Sequence, residues 1–301
     1  MPKKTIMTLL AILSLHLPAL AETNLGLELG YLYGDTTYQI GGEEYGTDGV
    51  ALDHFPISEL KFPLNSYVAV LSLETRLDPL NFKVELTKDV YQLEADMEDS
   101  DWLAPGRLDI YSESEAERKL FTAETKAAAR VWGSRALGLN LGLGYAYQQF
   151  NYTCEDTVQY SPSGLYSGYT GVAPGKTINY DIEYHIPYAE VAMTAALDNC
   201  DLNLSLGMAP YVKVYDHDEH VRRPKFMDGV LDGHAYLANF SGHYRLAPQL
   251  DLNFGIDYKK IETEGEQEQF GLDSGSPFYV NIEEEVTSEQ LRSTIGLSLR
   301  F

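Results

Sequence analysis

The sequence predicts an all-β protein, a ten-stranded antiparallel transmembrane β-barrel with long extracellular loops. Three observations predict this fold class: apolar residues recur with a period of two, connections alternate between short and long, and an export signal precedes the first run. The alternation gives each strand an apolar face for lipid, and barrel closure satisfies every backbone group inside the membrane. The opposite face carries Gly, Asn, Asp, Lys and Glu, which is too polar for the dry core of a secreted β-sandwich, the alternative all-β fold.

The N-terminus, residues 1–21, is typical of a signal peptide. Lys3 and Lys4 precede an apolar run, and Ala19-Leu20-Ala21 forms a small-x-small cleavage site. The apolar run is shorter than the ~20 residues that span a bilayer, which disfavours a membrane anchor. Residues 22–301 are therefore expected to form a single outer-membrane β-barrel domain. Loss of the two lysines would take the formal net charge from −23 to −25, which argues against nucleic acid and favours cationic partners.

The ten predicted strands follow one another with the same pattern. In the first, Leu25, Leu27 and Leu29 alternate with Gly26 and Glu28. Tyrosines concentrate near the strand ends, as in the aromatic girdles of membrane barrels. The last run ends on Phe301 and resembles the assembly signal of Gram-negative outer-membrane barrels. Including the last, the nine runs after the first lie at 67–73, 80–86, 121–131, 137–147, 178–186, 202–214, 236–244, 250–258 and 291–301.

The connections between these runs alternate in length. Tight turns lie at 78–79, 133–136, 198–199 and 247–249, and long polar segments at 39–57, 92–120, 153–176, 216–233 and 263–288. Because the first strand runs outward from a periplasmic N-terminus, all five long segments are predicted to be extracellular. Cys154 then lies at the outer edge and Cys200 at the periplasmic edge, too far apart for a disulfide.

Two acidic clusters fall just beyond the outer ends of predicted strands three and seven. Asp99 and Asp101 form the first, and Asp218 with His220 forms the second. Strands three and seven of ten lie nearly opposite each other, so the clusters could face across the barrel mouth. Close carboxylates can hold a water or share a proton, and an Asp two residues before a His can orient the imidazole as a base. This pattern indicates hydrolysis by an activated water without a covalent nucleophile.

The same residues resemble the motifs of a known family, the omptins, which are outer-membrane proteases of Gram-negative bacteria. The string Met97-Glu98-Asp99-Ser100-Asp101-Trp102 resembles their Met-x-Asp-x-Asp-Trp motif, and Asp216-His217-Asp218-Glu219-His220 resembles their Asp-x-Asp-Glu-His motif. The resemblance covers the whole mature chain at low identity. It implies a ten-stranded barrel that projects beyond the membrane, with an extracellular active-site groove.

Carried over by this resemblance, the catalytic residues are Asp99, Asp101, Asp218 and His220. Asp218 and His220 would activate the water, and Asp99 and Asp101 would form the opposing dyad. Asp216 matches an acidic residue that contacts the substrate, because the family cleaves between basic residues. The resemblance thus predicts an aspartic-type endopeptidase acting on cationic peptides or proteins.

The chain departs from the family at two places. Where the family has a glutamate near the outer end of strand one that binds the basic side chain, the aligned residue is Tyr38, with Asp35, Glu43 and Glu44 as possible substitutes. Omptins also need lipopolysaccharide, held partly by arginines on strands five and six. The chain carries Gln149 and Glu183 there, so this dependence is either lost or provided by other residues. No other cofactor is predicted.

The sequence also bears on four alternatives: a metal site, a porin, a lipid-modifying enzyme and a catalytically inactive barrel. His217, Asp218 and His220 are metal-ligand types, but their placement in one loop is unspecific, so no metal is predicted. A general porin is disfavoured because ten strands leave a lumen that side chains can fill. A lipid-modifying enzyme lacks a Ser/His pairing at the lipid-facing rim. The main alternative is a catalytically inactive barrel that acts as an adhesin or structural outer-membrane protein.

Overall fold

The computed structural model describes residues 22–45, 51–134, 136–273 and 276–301, so the predicted signal peptide lies outside the described residues. The described chain is almost entirely β-strand, with one 3-10 turn at Ser167–Tyr169. No helix in this part of the chain is long and apolar enough to cross a membrane. The strands are β1 (Glu22–Tyr45), β2 (Ala51–Pro63), β3 (Ser66–Leu77), β4 (Leu80–Gln92), β5 (Asp96–Asp101), β6 (Ile110–Gly133), β7 (Leu137–Tyr160), β8 (Gly171–Ala196), β9 (Cys200–His220), β10 (Lys225–Ala247), β11 (Leu250–Asp273) and β12 (Ser276–Arg300).

These twelve strands form a closed antiparallel barrel that is ten strands around at every level. β12 pairs with β1, which closes the ring. Near the tight turns, β1 is followed by β3, β4 and β6, whereas near the opposite, outer end it is followed by β2, β5 and β6. β2 with β3, and β4 with β5, are therefore two interrupted strands. The predicted ten-stranded antiparallel barrel is confirmed.

The long outer segments differ from the sequence expectation, because they are mostly strand rather than loop. β9 and β10, for example, continue to a turn at residues 221–224, well beyond the predicted loop start at 216. The two acidic clusters consequently lie within β5 and β9, and not beyond strand ends as predicted. The period of two continues through these segments with polar residues on the outward face. Polar outward residues resemble loop residues in the sequence, and for this reason these segments were predicted as loops although they are strands.

The wall of the barrel faces lipid over its lower part, nearest the tight turns. Leu27 and Leu29 point outward and are 63% and 62% exposed, and Tyr33, Tyr145 and Tyr236 stand on the outward face above this apolar band. The lumen at this level is polar and contains a cavity of about 640 Å³. Its walls carry ion pairs, including Lys126 Nζ–Glu190 Oε1 at 2.9 Å and Arg292–Glu85 at 2.6 Å.

An aromatic layer fills the barrel above the lumen. Phe62 stacks on Tyr180 with ring centroids 4.5 Å apart, and Tyr152 lies 4.8 Å from Phe62. Along β8, Tyr180, Tyr184 and Tyr188 point inward at successively lower levels, and Tyr188 Oη donates to Glu124 in the lumen. The layer thus separates the outer mouth from the membrane-level lumen. Cys154 is buried near this level, Cys200 lies at the opposite end, and both are free.

Arg118 joins the broken strands where they are interrupted. Its side chain is buried, its Nη1 donates to the Pro63 carbonyl at 3.0 Å, and its Nη2 donates to Ser66 Oγ. Its backbone N–H donates to Gln92 Oε1 at 2.5 Å. The guanidinium therefore connects the end of β2 to the start of β3 and provides donors for a carbonyl and a hydroxyl at the interruption.

Replacing Arg118 by Ala is expected to lower the free energy of unfolding by about 3 kcal/mol, because the half-buried Pro63 carbonyl and the buried Ser66 hydroxyl lose a charged donor. Urea unfolding of the refolded protein in detergent, followed by tryptophan fluorescence, measures this. Lys119→Ala is the matched control, since Lys119 is exposed on the same strand. Equal unfolding midpoints for the two variants would contradict this role for Arg118.

Candidate active site

The site lies at the outer mouth, where β5 and β9 present alternate residues to the inside. On β9, Asp216 and Asp218 are buried and His220 has 17% of its side chain exposed, whereas His217 points outward and contacts Asp228 at 2.7 Å. On β5, the alternation places Asp99 and Asp101 on the same face as the buried Met97. Three strands, β6 to β8, separate β5 from β9 around the ring, so the clusters face each other across the mouth.

The Asp99–Asp101 dyad is held by serines of the neighbouring strands. Ser58 Oγ donates to Asp99 Oδ1 at 3.5 Å, and Ser112 Oγ donates to Asp99 Oδ2 at 3.4 Å. Burial, with the charges of Asp101 and Asp218, raises the pKa of Asp99 well above its usual value. Burial also raises the pKa of Asp101. A carboxyl of this dyad therefore holds a proton more readily than a free aspartic acid and, when protonated, can donate it in a hydrogen bond.

Asp218 and His220 form the opposite half. Asp218 Oδ2 lies 3.8 Å from His220 Nε2, and the Asp218 side chain is 1% exposed. Neither carboxylate oxygen of Asp218 has a hydrogen-bond partner among the described residues. Burial, together with the charge of Asp216, raises the pKa of Asp218 to about 7. Burial and the cationic Arg223 and Lys225 lower the pKa of His220 to about 2, so its ring is a neutral base at physiological pH.

Beside this pair lies a buried acidic pocket that includes a residue missed in the sequence. Glu284 of β12 and Asp216 of β9 approach each other over Gly229, where a Cβ atom would collide with Asp216 Oδ1 and Glu284 Oε2. Apart from each other, these two oxygens have no side-chain partner in the part of the chain that the structure describes. Burial and the Asp216 charge raise the pKa of Glu284 well above its usual value, and burial raises that of Asp216.

Tyr38 and Tyr180 form the wall of this acidic pocket. Tyr180 Oη donates to Asp216 Oδ2 at 2.9 Å, and the Tyr180 ring lies 5.6 Å from that of Tyr38. Gln267 Nε2 is 2.8 Å from Tyr38 Oη and donates to Glu284 Oε1 at 3.3 Å. Tyr38 of β1 therefore lines the pocket without supplying a carboxyl. The two carboxyls are those of Asp216 on β9 and Glu284 on β12.

Of the substitutes expected for Tyr38, the structure describes one. Asp35, one of the three possible substitutes, points to the exterior and pairs with Lys61 at 3.5 Å, so it does not line the pocket. The side chains of Glu43 and Glu44 lie outside the described residues. A signal for Glu284 was present in the sequence, because the inward parity of β12 selects it from Glu283-Glu284-Glu285 once the strand is extended through the predicted loop.

The structure therefore brings all five predicted site residues to one mouth. One half presents a neutral imidazole beside a carboxylate, and the other presents carboxyls that can hold a proton. This arrangement can deprotonate a water and stabilise a developing oxyanion. Among the described residues, no group of three or more His, Cys, Asp or Glu side chains is placed to hold a metal ion.

The chain is similar to known proteins in both sequence and fold. The sequence model of the Omptin family matches residues 21–301. The chain is 23% identical over 260 residues to the plasminogen activator of Yersinia pestis, covering 81% of each chain. Its fold is similar to the crystal structure of the outer membrane protease OmpT from Escherichia coli, with a TM-score of 0.78, 15% identity, and coverage of 93% of this chain and 97% of that one.

Proposed function

Because this chain belongs to the Omptin family and is an outer-membrane β-barrel protein of a Gram-negative bacterium, we propose that it is an endopeptidase that cleaves with an activated water. The observation that carries the proposal is the pairing of Asp218 and His220 opposite Asp99 and Asp101 at one mouth. The scissile peptide would lie between the two halves, with its carbonyl toward the dyad.

The proposed chemistry uses each half of the site once. His220 removes a proton from a water as the water oxygen attacks the peptide carbonyl carbon. The Asp218 carboxylate stabilises the imidazolium that forms, although its ground-state distance of 3.8 Å must shorten for a direct hydrogen bond. A protonated carboxyl of Asp99 or Asp101 donates to the carbonyl oxygen as it becomes an oxyanion. His220 then returns the proton to the leaving amine, and the C–N bond breaks.

The buried pocket of Asp216 and Glu284 supports substrates with a basic side chain. In the empty pocket, the close approach and high pKa of the two carboxyls favour one shared proton. A guanidinium or ammonium can replace this proton, because no other side chain among the described residues donates to Asp216 Oδ1 or Glu284 Oε2. The tyrosines provide apolar contact to the aliphatic part of such a side chain. The acidic net charge of the chain favours the approach of cationic peptides or proteins.

Outer-membrane lipid is the second proposed partner. We do not propose a strict requirement for lipopolysaccharide bound at positions 149 and 183. Gln149 and Glu183 face each other across β7 and β8 and offer no positive charge to a lipid phosphate. Activity is therefore expected with and without added lipopolysaccharide. A strict requirement would show that other residues bind the lipid.

The test of the proposal is cleavage of a library of cationic peptides by refolded protein in detergent, analysed by mass spectrometry. Cleavage beside Arg or Lys is expected, with kcat/KM falling about tenfold for each pH unit below 7. The sign follows from Asp218, whose raised pKa of about 7 means that its carboxylate is lost on acidification, while His220 remains neutral. No cleavage at any pH, with or without lipopolysaccharide, would favour the inactive adhesin or structural barrel.

A further inference from the structure

The tight turn between β9 and β10 places an arginine against the proposed base. The backbone of this turn is held in place: Arg223 N–H donates to the His220 carbonyl at 3.2 Å, and Lys225 N–H donates to the Arg223 carbonyl at 2.7 Å. Leu272 N–H of β11 donates to the Pro224 carbonyl at 2.9 Å. The turn itself is thus fixed to its neighbours, and only its exposed side chains can change position.

The two arginines of this turn point to different places. Arg223 Nε donates to His220 Nδ1 at 3.3 Å. Arg222 Nε lies instead 3.4 Å from the Lys176 carbonyl on β8. Burial raises the pKa of Asp99, Asp101 and Asp218, and the Arg223 charge partly offsets this rise. The Arg223 side chain therefore lies beside the proposed base, whereas that of Arg222 points to β8.

The Arg223 contact uses the nitrogen lone pair that a base needs. An N–H that donates to Nδ1 requires Nδ1 to be unprotonated, which places the hydrogen of a neutral ring on Nε2, toward Asp218. In this tautomer Nδ1 is the only ring nitrogen that can accept a proton from water. His220 cannot accept it there while Arg223 occupies the lone pair.

We propose that Arg223 is a displaceable cover of the active site, which caps the base nitrogen of His220 in the substrate-free protein and swings away when a substrate fills the groove. This inference rests on the proposed peptidase function. Because the backbone is held by β9 and β11, the opening is a side-chain rotation and not a movement of the turn. The charged groups that face His220 are Asp218 on its own strand, Asp99 and Asp101 through the shared Arg223, and Lys225 on β10. A cationic substrate brings a positive charge that can replace that of Arg223 near these carboxyls.

Arg223→Gln is the test, and Arg222→Gln is its matched control, with the same charge change on the same turn. Arg223 is exposed, and a contact made by an exposed charge contributes little free energy. The kcat/KM of Arg223→Gln is therefore expected to rise by about two- to fivefold at pH 8. Arg222→Gln is expected to cleave as the native protein does. An unchanged or lower kcat/KM in Arg223→Gln would overturn the proposal.

A second measurement needs no activity. Nitrogen NMR of histidine-labelled, substrate-free protein is expected to show His220 as the Nε2–H tautomer in the native protein and in Arg222→Gln. Arg223→Gln is expected to keep this tautomer, because Asp218 still faces Nε2. Its Nδ1 resonance should move downfield because the hydrogen bond from Arg223 is lost, and the pKa of His220 should be higher because a nearby cation is gone. An Nδ1 resonance that is the same in all three proteins overturns the cover. If the Nδ1 resonance moves as expected but no protein cleaves any peptide, the Arg223 contact stands and the proposed peptidase function fails.

Discussion

Replacing Asp218 by Asn is expected to abolish peptide cleavage and, at neutral pH, to stabilise the barrel. Cleavage should fall by about 10²–10⁴-fold, because the amide cannot stabilise the imidazolium that His220 becomes. The gain in stability arises because the native carboxylate is 1% exposed and lacks a hydrogen-bond partner among the described residues. An isosteric neutral amide removes the cost of burying that charge.

The sign of the stability effect follows from the two states of Asp218. Its folded-state pKa is raised to about 7, whereas a free Asp titrates near 3.9. Between these values the folded protein binds more protons than the unfolded chain, so native stability falls as the pH rises through this window. Asp218→Asn should therefore show no gain below about pH 4 and its full gain, roughly 2–4 kcal/mol, above about pH 7.

Urea unfolding in detergent at pH 4 and pH 8, with peptide cleavage at pH 8, measures both effects. His217→Gln is the control, because His217 is the neighbouring residue on β9 and points outward. It should retain activity. Loss of stability in Asp218→Asn at pH 8 would show that the carboxylate makes a stabilising contact, and native-like cleavage would remove Asp218 from the mechanism.

Replacing Glu284 by Gln is expected to cost the enzyme its preference for basic substrates. Glu284 is 1% exposed, and apart from Asp216 no side chain in the described structure contacts its Oε2, so a bound cation would have this carboxylate as a direct counter-ion. Removing one partner of a buried charge pair costs roughly 2–5 kcal/mol. We expect kcat/KM for peptides with Arg or Lys at the pocket to fall by at least about thirtyfold, which corresponds to the lower limit of that range.

The chain offers matched controls on the same strand. Glu283→Gln and Glu285→Gln change the same charge on the exposed, outward face of β12 and should leave kcat/KM within about twofold. Asp216→Asn should resemble Glu284→Gln, and the double variant should lose little more than either, because the two carboxyls act on one cation. If Glu284→Gln cleaves basic and neutral peptides with the native ratio, the acidic pocket does not bind the substrate.

The sequence supplied most of the fold because its chemistry is periodic. Lipid requires an apolar outward face at every second residue, so the membrane band could be recognised in runs such as 137–147 without knowledge of their neighbours. The outer extensions were harder to recognise, since water contacts the outward face there. β9 and β12 alternate there between buried and exposed side chains, but the exposed ones are charged and resemble loop residues.

The candidate catalytic residues could be predicted from the sequence for a different reason. Asp99, Asp101, Asp218 and His220 each lie in a short string that resembles a family motif, and the strand count placed the two strings across the mouth. Local spacing contains this information. Their protonation does not follow from spacing, because it depends on burial by distant strands.

By itself, the sequence determined the barrel, its strand number, and the two clusters at its mouth. Alternation and local motifs involve only residues that are close together in the chain, so they can be recognised without knowledge of the fold. Only the tertiary structure decided what surrounds those clusters. Glu284 meets Asp216 across a gap of 68 positions, and Arg223 covers His220 only because the turn at 221–224 is so tight. Such contacts depend on strand register and on the direction of each side chain, which are set when the barrel closes.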